Sequence, residues 1–418
     1  MTEAIPIREG EGLNADNLAK YIDVELDVNG EIEISQFPAG ASNLTYCVKL
    51  DDQEYVLRRP PFGNRVKSAH DMSREFNVLS KLSKVYRPAP KPILYCDDES
   101  VIGSEFYLME RRNGLIIRGK SPTAARKTET RPEESVRDEI PPRDNHPGAE
   151  APPLLGKEGS LRPARTSDRS EPRAVATGSS DAETRTKVRV QTLENSQDYR
   201  KKVCESFIEN LADLHSLDYK KAGLGDLGKP VGYTQRQVEG WTERYFKAKT
   251  DDHEALEETI VWLNENIPAD DPPALVHNDY KFDNVMLNPD DLTEIVAVLD
   301  WEMATIGSPL MDLGTTLAYW MSKEAGEEML SMPFNPRILM ENVSRSELVQ
   351  MYAEKSGRDV SNIVYYYVFG TFKVAVIAQQ IYYRYVKGFT QDKRFAGFGF
   401  FVKKLGELAA SASDKNAI

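Results

Sequence analysis

The sequence lacks the features that mark secreted, membrane-spanning and cysteine-rich metal proteins. Only three of its 418 residues are cysteine, and Cys47, Cys96 and Cys204 are scattered without a CxxC pair. This usage predicts free thiols in a reducing cytoplasm and argues against a disulfide or zinc framework. No run of about 18 apolar residues occurs, so we expect no transmembrane helix. The N-terminal stretch MTEAIPIREGEGLNADNL has no apolar segment, and we therefore expect no signal peptide.

The chain also has fewer basic than acidic residues, 53 against 66. Its net charge is −13 and its isoelectric point is about 5.1. Proteins that bind nucleic acid or lie on a membrane surface present a basic face, so we expect neither partner here. A small molecule is the expected partner, and the sequence leaves the oligomeric state open.

Residues 121–190 contain no aromatic residue at all. Eight of the 70 are Leu, Ile, Val or Met, nine are Pro, and 13 basic residues nearly balance 12 acidic ones. Such a segment cannot bury enough apolar surface to offset the entropy of ordering it, so we predict disorder. A gene-model artefact without function is an equally open interpretation of this segment.

The rest of the chain divides into a β-rich and a helical part. Residues 1–113 contain segments with strand-like alternation, namely EIEISQF, LTYCVKL, EYVLRRP and EFYLMER, with one helix among them. Residues 197–418 are mostly helical, with one strand pair, NVMLN and EIVAVLD, joined by the turn-rich PDDLT. We therefore predict an α+β fold with a small N-terminal lobe, an insertion over 114–196 and a larger C-terminal lobe.

The stretch LVHNDYKFDNVML, residues 275–287, places polar residues between apolar core anchors. Asp279 and Asn284 are separated by a few residues, and the following hairpin leads to Asp300. This order suits phosphoryl transfer from ATP, in which one Asp accepts the proton of the attacking hydroxyl. An Asn and a second Asp are suitable oxygen ligands for Mg²⁺ on the phosphates. A capped turn before a hairpin is the simpler alternative.

At this point the sequence resembles a known superfamily, that of the aminoglycoside phosphotransferases and choline kinases, which are relatives of the protein kinases. The resemblance is closest to the phosphotransferase domain associated with acyl-CoA dehydrogenases. It rests on these segments in this order: AGASNLTY, YVLRRPP, FYLMER, LADLHSLD, HNDYKFDN, VLDWEMATIGSPLMDL and IAQQIYYRY. It implies a protein-kinase-like two-lobed fold, with ATP and Mg²⁺ as cofactors and Asp279 as the catalytic base.

The resemblance also implies roles for other residues of the helical lobe. Lys281 would neutralise charge on the transferring phosphoryl group. Asn284 and Asp300 would hold the metal, His277 would be structural, and Asp312 would brace the catalytic loop by accepting backbone hydrogen bonds. His215, on an apolar helix edge, is predicted to be a hydrogen-bonded core histidine.

In the N-terminal lobe, Glu75 falls on the apolar stripe of a predicted helix and needs a cationic partner. The kinase pattern implies the basic residue that ends the strand YVLR, here Arg58, and this pair would hold the α- and β-phosphates of ATP. The superfamily usually has Lys at this place, and Arg is not an equivalent residue. Arg59 is an alternative to Arg58, and exposure of Glu75 at the edge of the stripe is an alternative to pairing.

Two further segments are implied to contact the nucleotide. The backbone amides of Ala41, Ser42 and Asn43 would cradle phosphate, although this loop has only one Gly. The segment YLMERRNG would be the hinge, where backbone groups of Glu110 and Arg112 meet adenine. A plain edge strand is the alternative for that segment.

The function predicted from these residues is an ATP-dependent small-molecule kinase, with a hydroxyacyl-CoA as the acceptor that the resemblance suggests. Basic residues near the cleft would suit an anionic acceptor: Arg111, Arg112, Arg118, Lys120 and Arg244. The alternatives are an aminoglycoside- or choline-type kinase and a nucleotide-binding scaffold without activity. A protein kinase is disfavoured because only 11 residues separate Asp300 from Asp312, which leaves no room for an activation loop.

Overall fold

An antiparallel sheet of five strands, in the order β1-β2-β3-β5-β4, forms the N-terminal lobe. The structure is a computed structural model that describes residues 4–28, 30–38, 43–62, 71–118, 178–321, 323–330 and 336–418. The strands of this sheet are β1 (Ile32–Gln36), β2 (Leu44–Leu50), β3 (Gln53–Arg59), β4 (Pro92–Cys96) and β5 (Phe106–Glu110). Helices α1 (Ala15–Leu26), α2 (Met72–Leu82) and α3 (Glu99–Ile102) complete the lobe.

Strand alternation gives the sheet two apolar faces with different neighbours. Leu57, Phe106 and Leu108 join a core that belongs to the N-terminal lobe and includes Leu18 and Ile22 of α1. Their sequence neighbours Val56, Tyr107 and Met109 point the other way, into the core shared with α2 and the helical lobe. At β3 and β5 the sheet is therefore buried on both sides, and its second face packs against the helical lobe.

The C-terminal lobe is mostly helical. Its helices are α4 (Gly178–Asn195), α5 (Gln197–His215), α6 (Tyr233–Ala248), α7 (Glu254–Glu265), α8 (Pro309–Tyr319), α9 (Glu327–Leu330), α10 (Arg337–Met340), α11 (Arg345–Ser356), α12 (Ile363–Val386) and α13 (Phe398–Lys415). Short 3₁₀ turns cover Phe282–Asn284, Trp301–Met303, Lys323–Ala325 and Lys393–Gly397. Among the described residues, no helix combines the length and apolarity that crossing a membrane requires.

Two small antiparallel strand pairs lie inside this lobe. The predicted pair is present as β7 (Val285–Asn288) and β8 (Asp291–Val298). The prediction of only one pair is wrong, because β6 (Ala274–Val276) and β9 (Thr305–Gly307) form a second. The two pairs enclose the polar stretch 277–284 and the segment 299–304, so both are held at each end.

The predicted division into a small β-rich lobe and a larger helical lobe is confirmed, but the insertion is narrower than expected. Leu115 exchanges backbone hydrogen bonds with Leu287 (N···O 2.8 and 2.9 Å), and Ile117 is buried, so residues 114–118 belong to the core. At the other end, α4 covers 178–190, where we predicted disorder. Its last turns contain the buried Leu193, and Arg189 donates to the Asp290 carbonyl (2.8 Å). The disorder predicted for 121–177 lies outside the described residues.

Candidate active site

The polar stretch after β6 is anchored by two aromatic side chains. Tyr280 and Phe282 are fully buried and pack on Phe207 of α5, with ring centroids 4.6 and 4.1 Å away. The alternating residues Asp279 and Lys281 are only partly buried, with side chains 17% and 19% exposed. Apolar anchors therefore hold a charged loop rigidly, which lowers the cost of positioning at the moment of reaction.

Asp312, on the first turn of α8, holds the backbone at the start of this loop. Its carboxylate accepts hydrogen bonds from the N–H groups of His277 (2.6 Å) and Asn278 (2.8 Å). His215 completes the arrangement: its Nε2 lies 3.2 Å from Asp312 and its Nδ1 lies 2.7 Å from the hydroxyl of Tyr352. Burial works against the charge, but the hydrogen bond from His215 and the other contacts hold the pKa of Asp312 below its usual range. His215 is thus the hydrogen-bonded core histidine that the sequence predicts.

His277 links the loop to the end of β8. Its Nδ1 accepts from the N–H of Asp279 (3.2 Å), and its Nε2 lies 3.0 Å from the carbonyl of Leu299. Because a backbone N–H only donates and a carbonyl only accepts, the ring is neutral with its proton on Nε2. Burial lowers the pKa of His277, which favours the same neutral form. The ring therefore sets the spacing between Asp279 and the residue before Asp300.

Asp279 is surrounded by hydrogen-bond donors. The ammonium of Lys281 lies 2.7 and 2.8 Å from its two carboxylate oxygens. The Asn284 amide donates to the Asp279 carboxylate and to its carbonyl, both at 2.9 Å. The Tyr319 hydroxyl donates to the carboxylate at 3.1 Å. The loop thus brings together Asp279, Lys281 and Asn284, all three of which the sequence singled out.

Tyr319 is a site residue that the sequence reasoning missed. It ends α8, seven residues after Asp312, so both side chains lie on the same side of the helix and reach the same loop. Lys281 also lies over the Tyr319 ring, with Nζ 4.8 Å from the centroid. Burial works against the charge of Lys281, but Tyr319 and Asp279 together raise its pKa. The helical spacing from Asp312 was the signal that could have identified Tyr319.

A second cluster joins the two lobes. Arg58 of β3 forms an ion pair with Glu75 of α2, and its other terminal nitrogen lies 3.0 Å from the carboxylate of Asp300. Glu75 is 1% exposed and also accepts a hydrogen bond from the N–H of Trp301 (3.0 Å). Arg59 donates instead to the carbonyls of Pro60 and Ile102, both at 3.0 Å. Glu75 is therefore paired and buried, and its partner is Arg58.

Burial and neighbouring charges shift the pKa values of the acidic residues in and beside this cluster. Burial raises the pKa of Glu75, although Arg58 opposes the shift. Burial also works against the charge of Asp300, but Arg58 outweighs it and lowers the Asp300 pKa. The pKa of Glu302 is also raised, to about 8, by burial and by the neighbouring Asp300. A cation bound beside Asp300 would relieve this repulsion.

Asn43 connects the loop between β1 and β2 to this cluster. Its side-chain amide donates to the Glu302 carboxyl at 2.7 Å. Sequence reasoning missed Glu302, although it follows Asp300 by two residues in the quoted motif. Ala41 and Ser42, predicted with Asn43 to hold phosphate through their amides, lie outside the described residues.

The predicted hinge has its side chains tied to the N-terminal lobe. The Glu110 N–H donates to the Lys91 carbonyl (2.9 Å), so this amide is not available to adenine. The Glu110 carboxylate accepts from the guanidinium of Arg112 (2.7 Å), and Arg111 pairs with Glu54. Contact with adenine would therefore use other backbone groups of this segment.

The candidate metal ligands are a carboxylate and an amide. In the described ranges, no three His, Cys, Asp or Glu side chains form a metal-holding group. The Asp300 side chain is 30% exposed, with one oxygen on Arg58, and Asn284 lies on the adjoining loop. A hard cation that takes most of its ligands from phosphate and water needs only such a partial set.

Comparisons with known proteins agree on one family. A family model described as "Phosphotransferase enzyme family" (APH) matches residues 33–135 and 162–332. Acyl-CoA dehydrogenase family member 11 of Gallus gallus is 30% identical over 390 residues, which cover 92% of this chain and 41% of that protein. The chain thus spans about two fifths of the length of the curated relatives that it matches.

Solved structures give the fold. A Ralstonia eutropha crystal structure, described as a candidate aminoglycoside phosphotransferase, has a TM-score of 0.68 at 24% identity and covers 97% of this chain and 99% of its own. A thermostable mutant of aminoglycoside phosphotransferase APH(4)-Ia, in ternary complex with AMP-PNP and hygromycin B, has a TM-score of 0.52 at 12% identity, covering 95% and 99%. The predicted kinase-like two-lobed fold is confirmed.

Proposed function

Because the chain belongs to the phosphotransferase enzyme family, we propose that it is an ATP-dependent kinase that transfers the γ-phosphate of ATP to a hydroxyl group of a small molecule. The observation that carries this proposal is the proximity of two clusters. One is the Asp279 cluster of the loop, and the other is the Arg58–Glu75–Asp300 cluster between the lobes. The neutral ring of His277 joins them.

In this proposal Asp279 is the general base. The acceptor hydroxyl attacks the γ-phosphorus, a new O–P bond forms, and the bond to the β-phosphate oxygen breaks as ADP leaves. Asp279 takes the proton that the hydroxyl loses. Lys281, already held against Asp279, is close enough to balance the negative charge of the transferring group.

The remaining cluster holds the nucleotide. Arg58, fixed by Glu75, would contact the phosphates, and the guanidinium fork suits phosphate oxygens. Asn284 and Asp300 would hold Mg²⁺, which when bound would neutralise charge on the phosphate oxygens. The raised pKa of Glu302 supports a cation site here. A divalent cation would relieve the repulsion between the carboxyl groups of Asp300 and Glu302. The AMP-PNP complex of the APH(4)-Ia neighbour supports ATP as the donor.

For the acceptor we propose a hydroxyacyl-CoA. The support is the name of the curated relatives, acyl-CoA dehydrogenase family member 11, and the basic residues that the sequence analysis named for an anionic acceptor. Of those named from the sequence, Arg111 and Arg112 are engaged by Glu54 and Glu110, whereas Arg244 is exposed and stacks on Trp241 (4.7 Å). Lys120 lies outside the described residues. We also propose a cytoplasmic location, which the buried free thiols of Cys47, Cys96 and Cys204 support.

The test is a transfer assay on the purified chain with Mg²⁺ and ATP. The acceptor panel contains hydroxyacids, their CoA thioesters, choline and aminoglycosides, and mass spectrometry detects the phosphorylated product. We expect one hydroxyacyl-CoA to gain a phosphate and ADP to accumulate in equal amount. Transfer only to choline or to an aminoglycoside would show that this compound class, and not a hydroxyacyl-CoA, is the acceptor. ATP binding without transfer to any compound would favour the nucleotide-binding scaffold.

A further inference from the structure

Lys373, in the middle of α12, is a buried cation that the sequence analysis did not single out. It is 2% exposed, and no carboxylate of the described residues forms an ion pair with it. Its ammonium donates to the carbonyl of Asn278 (2.7 Å) and lies 5.6 Å from the ring centroid of Trp241. Burying a charge without a counter-ion costs stability, so a residue of this kind needs a reason other than packing.

Asn278, the partner of Lys373, immediately precedes Asp279 and has an unusual backbone. Its φ is +67°, in the left-handed region that non-glycine residues seldom occupy. Its N–H is held by Asp312 and its side chain by Tyr233 (3.1 Å) and the Met303 carbonyl (3.1 Å). The carbonyl held by Lys373 belongs to the peptide that leads into Asp279. Its direction therefore affects where the Asp279 side chain points.

The two helices that carry Asp312 and Lys373 are in direct backbone contact. A Cβ placed on Gly314 of α8 would lie 2.1 Å from the Tyr366 carbonyl oxygen, and one on Gly370 of α12 would lie 2.2 Å from the Gly314 carbonyl oxygen. Contacts this close leave little freedom for either helix to shift. Asp312 and Lys373 therefore hold the N–H and the C=O of Asn278 from two helices whose separation is fixed.

We propose that Lys373 is a positioning residue which, with Asp312, clamps the backbone of Asn278 and so orients the Asp279 side chain. Its consequence for catalysis rests on the function proposed above. The clamp explains why the chain tolerates a buried ammonium: the charged donor holds a carbonyl whose backbone conformation is strained.

The clamp is expected to depend on pH. Burial lowers the pKa of Lys373 to about 8, with Asp312 of α8 and Asp279 of the loop raising it and Lys281 and Arg244 lowering it further. Above that pH the neutral amine is a weaker donor, so the transfer rate falls on the alkaline side. Lys373→Arg keeps the charge at every accessible pH and should remove this alkaline fall.

The experiment compares Lys373→Met with wild type and with Lys403→Met, a control at an exposed lysine of α13. Hydrogen exchange of the amides in 277–284, melting temperature, ATP affinity and kcat are measured. We expect faster exchange confined to this loop, kcat lowered about 10- to 100-fold, and ATP affinity and melting temperature close to wild type. Lys403→Met should match wild type in all four.

Other outcomes overturn the proposal. Unchanged loop exchange and kcat in Lys373→Met would show that the contact does no positioning. Faster exchange along all of α12, with a lower melting temperature and weaker ATP binding, would show a merely structural role. If Lys373→Met does not fold, Lys373→Arg decides, and an alkaline fall still centred near pH 8 would contradict the clamp. If wild type transfers phosphate to no acceptor, the proposed function fails, whereas loop exchange still tests the clamp.

Discussion

Arg58 of the N-terminal lobe forms ion pairs on both sides of the junction between the lobes. It contacts Glu75 and Asp300 at once, and it is 7% exposed. A buried ion pair contributes little net stability compared with an apolar replacement, but removing one partner leaves an uncompensated charge. Stability and nucleotide binding can therefore be separated by mutation at this position.

We predict that Arg58→Met lowers the free energy of unfolding by about 3–5 kcal/mol, because Glu75 is left buried without its partner. The double change Arg58→Met with Glu75→Met removes both charges of the buried pair and should restore part of that loss, because Asp300 still lacks Arg58. Neither variant should bind ATP with wild-type affinity. Denaturant unfolding and calorimetric titration measure the two effects, and recovery of ATP binding in the double variant would contradict the role of Arg58.

A second prediction for a single residue concerns how Asp312 contributes to stability as the pH falls. The pKa of Asp312 is lowered in the folded chain from its ordinary 3.8, so its stabilising contribution is complete above that pH and is lost as pH falls through the folded value. Asp312→Asn, which places an amide against backbone donors, should cost about 3 kcal/mol at neutral pH.

The stability gap between wild type and Asp312→Asn should then narrow as the pH falls below about 4, since only wild type has this carboxylate to protonate. Chemical denaturation from pH 7 to pH 2.5 measures the gap. A constant gap over that range would show that Asp312 does not stabilise the fold through its charge.

Sequence reasoning reached some site residues more easily than others. Asp279, Asn284 and Asp300 are readable because their spacing along the chain is fixed by one loop and one hairpin. Tyr319 and Lys373 come from distant helices, and Lys373 lies 94 residues after Asp279 in the sequence. Only the crossing of α8 and α12 brings them to the loop, and one sequence does not specify that crossing.

Among the elements, α8 and α12 cross in direct backbone contact near the site. The helices meet at Gly314 and Gly370, where any side chain would overlap a backbone carbonyl. The crossing sets the distance between Asp312 and Lys373. A change at this crossing should therefore affect the loop 277–284 although it alters none of the loop's own residues.

We predict that Gly370→Ala destabilises the chain by about 3 kcal/mol or more, since its Cβ would meet the Gly314 carbonyl oxygen at 2.2 Å. Gly397→Ala is the matched control, because no atom lies within 4 Å of its added Cβ and its φ is −82°. That control should leave the melting temperature unchanged. A Gly370→Ala variant as stable as the control would contradict the close helix contact.

Prediction of helices and strands from the sequence succeeded for the longer periodic segments. It failed for very short strands and for a helix inside a segment judged by its overall composition. The strands β1, β2, β3 and β5 and helix α2 follow from alternation and helical spacing. The three-residue strands β6 and β9 are too short to show a period, and only their pairing defines them. Helix α4 was missed because the composition of the whole segment 121–190 concealed a helical end that packs through Leu193.

At the scale of the whole molecule, one short segment, residues 300–304, collects several polar contacts between the lobes beside their shared apolar core. Arg58 contacts Asp300, Glu75 contacts the Trp301 N–H, and Asn43 contacts Glu302. Arg74 completes the set by donating to the Ala304 carbonyl (2.8 Å). This segment also carries Asp300, the proposed metal ligand, so in the proposed function this residue would serve both nucleotide binding and lobe contact. The division into two lobes could be predicted from the sequence pattern, but this junction could not, because its partners come from three separate segments of the N-terminal lobe.

The central claim is that Asp279 accepts a proton while the other groups hold the nucleotide. The direct test is the rate of phosphoryl transfer by Asp279→Asn, compared with wild type and with Asp290→Asn, a control at an exposed aspartate. We predict that Asp279→Asn loses transfer by a factor of about 100 to 10,000 with little change in ATP affinity, and that the control keeps wild-type activity. Transfer by Asp279→Asn at the wild-type rate would contradict the account.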